Sequence, residues 1–180
     1  MIKIAITGNI ASGKSTVERI FEELGFDVYD TDKIAHKILE NSEEVKGAFG
    51  TVDRKEIAKI VFSNPEKLKL LESIIHPKVK EELLKIFNHN EKVVFISVPQ
   101  LFESGFDILF DKIIFVTADE NLRKERLIKR NSLTPEEAQK RIDAQKEDGK
   151  IAKSDFVIEN NLDLEKLKSQ VEDILSILVR

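Results

Sequence analysis

Gly8-Asn9-Ile10-Ala11-Ser12-Gly13-Lys14-Ser15, with Thr16 behind it, decides how this chain is read. The stretch is the G-x-x-x-x-G-K-[ST] phosphate loop, and its flanks have the right character. The apolar run at 2–7 reads as a strand and the amphipathic run at 13–24 as a helix. Glycines let the backbone turn so that successive N–H groups converge on an anion. The helix start adds its partial positive charge. In this arrangement Lys14 reaches the β- and γ-phosphates of a nucleoside triphosphate, and the Ser15 hydroxyl binds Mg²⁺. The backbone from Gly8 to Thr16 is therefore the expected ATP site, with Gly8, Asn9, Ile10, Ala11, Ser12, Gly13, Lys14, Ser15 and Thr16 lining it.

Outward from the loop, Gly25 stops the helix, and 26–29 reads as a second strand ending at Asp30-Thr31-Asp32. A helix is expected over 33–40. Residues 41–53 are polar and hold Gly47 and Gly50, which reads as loop or frayed helix. Helical spacing returns over 54–62. Asn64-Pro65 opens a further helix with Leu68, Leu71, Ile74 and Ile75 as its buried stripe. Pro77 predicts a kink or break there, with the pattern resuming through Val79, Leu83, Leu84 and Phe87. Strands are expected at 93–98, 112–116 and 155–158, and helices at 121–130 and 162–178. Thr134-Pro135-Glu136-Glu137 is a strong helix start inside the charged stretch 131–153.

Alternating strands and helices predict an α/β fold: a five-stranded parallel sheet with helices on both faces, of the nucleotide-kinase-like P-loop type. The expected layout is one kinase unit, with its core in 1–32, 91–124 and 154–180. A helical insertion at 33–90 would hold the acceptor, and residues 125–153 would form a lid.

Composition narrows the function classes. A chain of 180 residues suits one compact domain. Its 29 basic and 33 acidic residues are interspersed, and no basic block speaks for nucleic acid. No 18-residue apolar span speaks for a membrane helix, and no apolar signal region precedes the first strand. Without cysteine there are no disulfides, thiolate metal sites or cysteine nucleophiles. These features predict a cytoplasmic protein with small-molecule partners, a monomer or weak homo-oligomer.

Several side chains qualify for chemistry. Asp32 stands at the carboxyl end of strand two, where open α/β sheets place ligand-binding groups. It is the expected group to take the proton of an acceptor hydroxyl or to orient the oxygen; Asp30 reads instead as the helix N-cap. Strand three ends in Ser97-Val98-Pro99, where hydrolysing NTPases carry an acid, which favours a kinase. Glu103 is the nearest replacement carboxylate. Arg126, Arg130 and Arg141 are candidates to hold phosphoryl oxygens, and Arg123 reads as a solvated neighbour. His76 is either a satisfied imidazole or a donor in the acceptor pocket.

With these residues in hand, the chain resembles the dephospho-coenzyme A kinases over about residues 2–170. The resemblance lies in 4–17 around the loop, Leu24-Gly25, Asp30-Thr31-Asp32-Lys33-Ile34-Ala35, and Asp53-Arg54 with Ile60-Val61-Phe62. It continues through Leu71-Glu72 with Ile75-His76-Pro77, then Leu101-Phe102-Glu103, then Arg126-Leu127 with Arg130. Arg141-Ile142 with Ala144-Gln145 and 155–160 complete the series. The resemblance implies transfer of the ATP γ-phosphate to the ribose 3′-hydroxyl of dephospho-coenzyme A, with Mg²⁺. It implies Asp32 at that hydroxyl, His76, Leu101 and Glu103 on the acceptor side, and Asn160 near adenine. Asn9 and Ala11 depart from glycines usual in the family, Gln100 from a leucine and Ser154 from an alanine. The alternative from the loop alone is another P-loop kinase, acting on a nucleoside, nucleotide or small alcohol; a nucleotide-binding regulator is a third class.

Overall fold

The computed structural model describes residues 1–89, 92–145 and 149–179. The expected boundary at 90/91, part of the expected lid and the last residue of the expected core lie outside the described residues. Five strands form one sheet: β1 (Ile2–Gly8), β2 (Val28–Asp30), β3 (Val93–Ser97), β4 (Lys112–Thr117) and β5 (Phe156–Glu159). Their order is β2-β3-β1-β4-β5, and β1 pairs in parallel with both β3 and β4. The loop after β1 therefore leaves from the middle of the sheet, the place where open α/β folds bind ligands.

Side chains alternate across the central strands, and both faces are buried. Ile4, Ile6, Phe95, Ile114, Val116 and Ile158 join Val17, Ile20 and Phe21 of α1 (Lys14–Glu23) in one core. Leu167, Val171 and Ile174 of the last helix, Leu164–Leu178, belong to the same core. Phe21 lies against Phe95 with ring centroids 4.3 Å apart, and Phe26 meets Phe95 edge-on at 5.4 Å. Ala5, Val94, Ile96, Ile113 and Phe115, on the alternate positions, are buried as well. Near-continuous apolar runs are what a doubly covered parallel sheet requires.

Aspartates tie the loops that enter the strands. Asp111 accepts from the Lys3 N–H at 2.8 Å. Asp155 accepts from the Ile113 N–H at 2.9 Å and from Lys112 Nζ at 2.7 Å. Burial works against the Asp155 charge, but these donors outweigh it and hold the carboxyl below its ordinary value. At the far end of β5, Gln170 of the last helix accepts from the Glu159 N–H and donates to the Glu159 C=O, both at 3.0 Å.

The chain divides into two compact units, Asp30–Asn90 and the remainder. The smaller contains α2 (Thr31–Glu40), α3 (Glu43–Phe49), α4 (Arg54–Phe62) and α5 (Pro65–Ile86). Each of α2, α3 and α4 packs on α5. Here two open expectations are decided. Residues 41–53, expected as loop or frayed helix, contain α3: Ser42 caps it by accepting from the Val45 N–H, and Val45 is fully buried. Gly50, read as a loop residue, takes the left-handed conformation (φ 74°) that ends this helix.

Pro77 does not break its helix: α5 runs 22 residues through it. An interior proline costs ~3 kcal/mol. Ile75, Val79 and Leu83 are buried around it, and each contributes roughly 1.5–3 kcal/mol, so burial outweighs the lost hydrogen bond. Of the expected stripe, Ile75 is buried, Leu71 and Ile74 are half-buried, and Leu68 is exposed.

The remaining helices are α6 (Glu120–Asn131), α7 (Pro135–Asp143) and α8, the helix Leu164–Leu178 named above. Thr134 and Glu137 form the capping box that the sequence signals at the start of α7. No helix among the described residues is long and apolar enough to cross a membrane.

Candidate active site

The loop from Gly8 to Ser15 joins β1 to α1. Two of its glycines have separate causes. At Gly8 a Cβ would lie 2.3 Å from the Val116 carbonyl oxygen of β4, so the strands' close approach admits no side chain. Gly13 has φ 89°, and a Cβ there would lie 2.0 Å from Asn160 Nδ2. Asn9 keeps an ordinary φ; its N–H donates to the Val116 C=O at 3.2 Å and its Nδ2 to Thr117 Oγ1 at 3.4 Å. Ala11 holds a left-handed φ of 58° without being glycine. Such a residue costs roughly 1–2 kcal/mol and needs neighbours that fix it.

The neighbours are Arg126 and Asn160. Arg126 donates through one terminal nitrogen to the carbonyls of Ala11 (3.3 Å) and Ser12 (3.2 Å), and through the other to the Asn160 C=O (2.9 Å). Asn160 Nδ2 donates to the same Ser12 carbonyl at 2.8 Å. Below the loop tip, Ile10 and Ala11 pack with Leu127 and Ile128 of α6 and with Ala138 and Ile142 of α7. Gln145, just past α7, accepts the Ile10 N–H at 2.6 Å.

With the carbonyls of Ala11 and Ser12 held this way, the loop's donors are sorted. The Ser12 N–H turns inward to the Asn9 carbonyl at 3.1 Å. The N–H groups of Ala11, Gly13, Lys14 and Ser15 have no partner among the described residues. Ser12 Oγ is buried and likewise unpartnered there. Free N–H groups at a helix start make an anion site. Lys14 adds a full charge, and its Nζ donates to Glu18 and Ser97 Oγ, both at 2.5 Å. Ser15 is exposed in the first turn of α1. These groups fit a triphosphate with its metal ion: unused donors, a cation and a free hydroxyl.

The other candidates fall into distinct places. Arg130 is exposed and, with Ala11, Gly13, Arg126 and Lys129, lines a cleft of about 400 Å³. Arg141 is exposed on α7. Arg123, expected as a solvated neighbour, is buried and donates through Nε to the Ala118 carbonyl at 3.1 Å, because it anchors the start of α6. Leu101 is fully buried, so its side chain supports the loop after β3 instead of facing a ligand. Glu103 is exposed and ion-paired with Lys150, and both line a second cavity of about 590 Å³ with Gln100 and Gln145.

In the smaller unit, Asp30 accepts from the N–H groups of Asp32 (2.8 Å) and Lys33 (3.4 Å), the N-cap role expected of it. Asp32 is exposed in the first turn of α2, and His76 is half-buried in mid-α5. Glu18 and Gln145 are site contacts that the motif reading did not assign.

Comparison with known proteins places this loop among kinases of one kind. The profile of the dephospho-CoA kinase family matches residues 2–166. This chain belongs to the dephospho-CoA kinase family. A dephospho-CoA kinase of Fusobacterium nucleatum is 45% identical over 94% of each chain. A Thermus thermophilus crystal structure superposes with a TM-score of 0.87 at 36% identity, covering 98% of this chain and 97% of that one. A dephospho-CoA kinase from Campylobacter jejuni gives 0.75 at 33% identity, covering 97% and 95%. Membership makes the chain an ATP-dependent kinase of coenzyme A biosynthesis.

Proposed function

We propose that this kinase transfers the γ-phosphoryl group of ATP to the ribose 3′-hydroxyl of dephospho-coenzyme A. The acceptor oxygen bonds to the γ-phosphorus, the bond to the β,γ-bridging oxygen breaks with its electron pair staying on ADP, and the hydroxyl proton passes to the Asp32 carboxylate or to solvent. The products are coenzyme A and ADP. The observation that carries the nucleotide half is the loop itself, with its unpartnered N–H groups at Ala11, Gly13, Lys14 and Ser15.

In this reading Lys14 leaves Glu18 and Ser97 for the β- and γ-phosphates. Ser15 would hold Mg²⁺, which would supply charge to neutralise the phosphate oxygens. Arg130 and Arg141 take the charge that spreads over the transferred group. Arg126 and Asn160 serve ATP binding by holding the loop's carbonyls, so that its N–H groups stay available. Asp32 receives or orients the acceptor hydroxyl. His76 and Glu103 serve the acceptor, and Leu101 supports the loop that carries Glu103. Residues 33–90 are the acceptor-binding insertion and 125–153 the lid. The enzyme works in the cytoplasm as a monomer or weak homo-oligomer.

Asp32→Asn tests the assignment, since it keeps shape and removes charge. ATP affinity should change by less than ~10-fold while kcat falls roughly 10²–10⁴-fold, the range for general acid–base groups. Normal turnover in this variant would remove Asp32 from the reaction, and loss of turnover in Asp30→Asn alone would move the role to the other aspartate.

A further inference from the structure

One contact couples the segment after α7 to the phosphate loop through a single amide. Gln145 Oε1 accepts the Ile10 N–H at 2.6 Å, across 135 positions of sequence. Only the carbonyl end of a glutamine amide can face an N–H donor, so the orientation of this side chain is fixed by the backbone it binds. We propose that Gln145 is a positioning residue for phosphoryl transfer: by holding the Ile10 N–H it sets the loop-tip peptides from which ATP's phosphates are bound. The proposal deepens the function above and rests on the loop holding ATP.

Three observations support it. First, the neighbouring residue, Ala11, sits at φ 58°, a conformation that a non-glycine keeps only when its surroundings fix it. Arg126 fixes the carbonyl side of that residue; Gln145 fixes the N–H just before it. Second, among the described residues the N–H groups of Asn9 and Ser12 are engaged by backbone carbonyls, while that of Ile10 is engaged by a side chain. Among the described residues the Ile10 N–H is thus the loop donor held by a side chain, while Arg126 and Asn160 hold the loop's carbonyls. Third, the contact is backed by packing. Ile10 and Ala11 pack against the cluster of Leu127, Ala138 and Ile142, two of whose members belong to α7, the helix that leads to Gln145. Gln145 also lines the second cavity with Gln100, Glu103 and Lys150, so it touches both the loop and that open space.

Two substitutions separate the hydrogen bond from shape. Gln145→Met keeps length and volume but has no carbonyl acceptor. Gln145→Glu keeps the acceptor. Amide hydrogen exchange at Ile10 in the nucleotide-free enzyme should show protection in the parent and in Gln145→Glu, and at least ~10-fold faster exchange in Gln145→Met. The same variants are assayed with ATP and dephospho-coenzyme A. Gln145→Met should lose ~10-fold in kcat/KM for ATP, the scale of one hydrogen bond to a backbone group. Its thermal midpoint should stay within a few degrees of the parent. Equal exchange at Ile10 in parent and Gln145→Met overturns the contact whatever the substrate proves to be. Faster exchange with unchanged kcat/KM overturns the positioning role. Loss of activity with dephospho-coenzyme A in the parent itself would instead count against the proposed reaction, leaving the exchange result to judge the contact.

Discussion

Replacing Arg126 gives the sharpest quantitative test of how the loop keeps its shape. Its guanidinium bridges the Ala11, Ser12 and Asn160 carbonyls. Hydrogen bonds to a charged donor contribute ~1.5–3 kcal/mol, and the two longer ones share one nitrogen, so the whole bridge is worth about 2–4 kcal/mol. Arg126→Ala should therefore lower the thermal midpoint by about 4–16 °C, using ~2–4 °C per kcal/mol for a chain of this size. Arg126→Lys keeps the charge but has no planar fork, so it should recover half of this or less. Urea unfolding of Arg126→Ala, of Asn160→Ala and of the double variant completes a cycle. Arg126 and Asn160 both hold the Ser12 carbonyl, so their effects should couple by at least ~0.5 kcal/mol. ATP affinity, read by calorimetry, should fall in Arg126→Ala roughly tenfold or more. A parent-like midpoint in Arg126→Ala, or full recovery by lysine in both stability and affinity, would refute the reasoning and leave Arg126 acting only through its charge.

Three further outcomes follow from the same geometry. Lys14→Ala should lower kcat by at least ~10²-fold, as expected for one preorganised electrostatic contact, and near-normal turnover would exclude Lys14 from the transition state. Gly8→Ala puts a methyl group 2.3 Å from the Val116 carbonyl oxygen, so the variant should be strongly destabilised or insoluble; a parent-like melting curve would contradict the strand spacing. The Asp155 carboxyl is lowered from 3.8, so its contribution is complete above that value and is lost as pH falls toward the folded-state value. Acid titration of Asp155→Asn should accordingly show a smaller loss of stability below about pH 4 than the parent; an unchanged acid limb would show that Lys112 and Ile113 do not hold the charge.

The sheet was legible because each strand is a short apolar run bounded by turn residues, and the loop because its spacing is chemically constrained. Helix α3 was legible only in part: Gly47 and Gly50 left loop and frayed helix both open, although Ser42, Glu43 and Glu44 spell a capped start. The sequence carries the terminator's conformation only implicitly, since a glycine reads alike in a loop and at a helix end. The break that Pro77 allowed did not occur for an energetic reason, because local propensity was outweighed by burial that depends on α2, α3 and α4 arriving at the same helix. In the site, Asp30's capping role was readable from its position before a helix. Arg123 was not, since a basic run gives no sign of which member turns inward. Gln145 lies in the run Arg141-Ile142 with Ala144-Gln145, yet no local pattern reports a contact with Ile10, 135 positions away in the phosphate loop.

Gln170 carries a consequence beyond the fold. β5 stands at one border of the sheet, with β4 on its inner side. At Glu159 the backbone would otherwise offer an N–H and a C=O outward, the pair by which a strand from another molecule would attach. One glutamine amide, itself a donor and an acceptor, answers both at 3.0 Å. The chain thus supplies a one-residue imitation of a sixth strand, which occupies the outward donor and acceptor of the border strand at that one position.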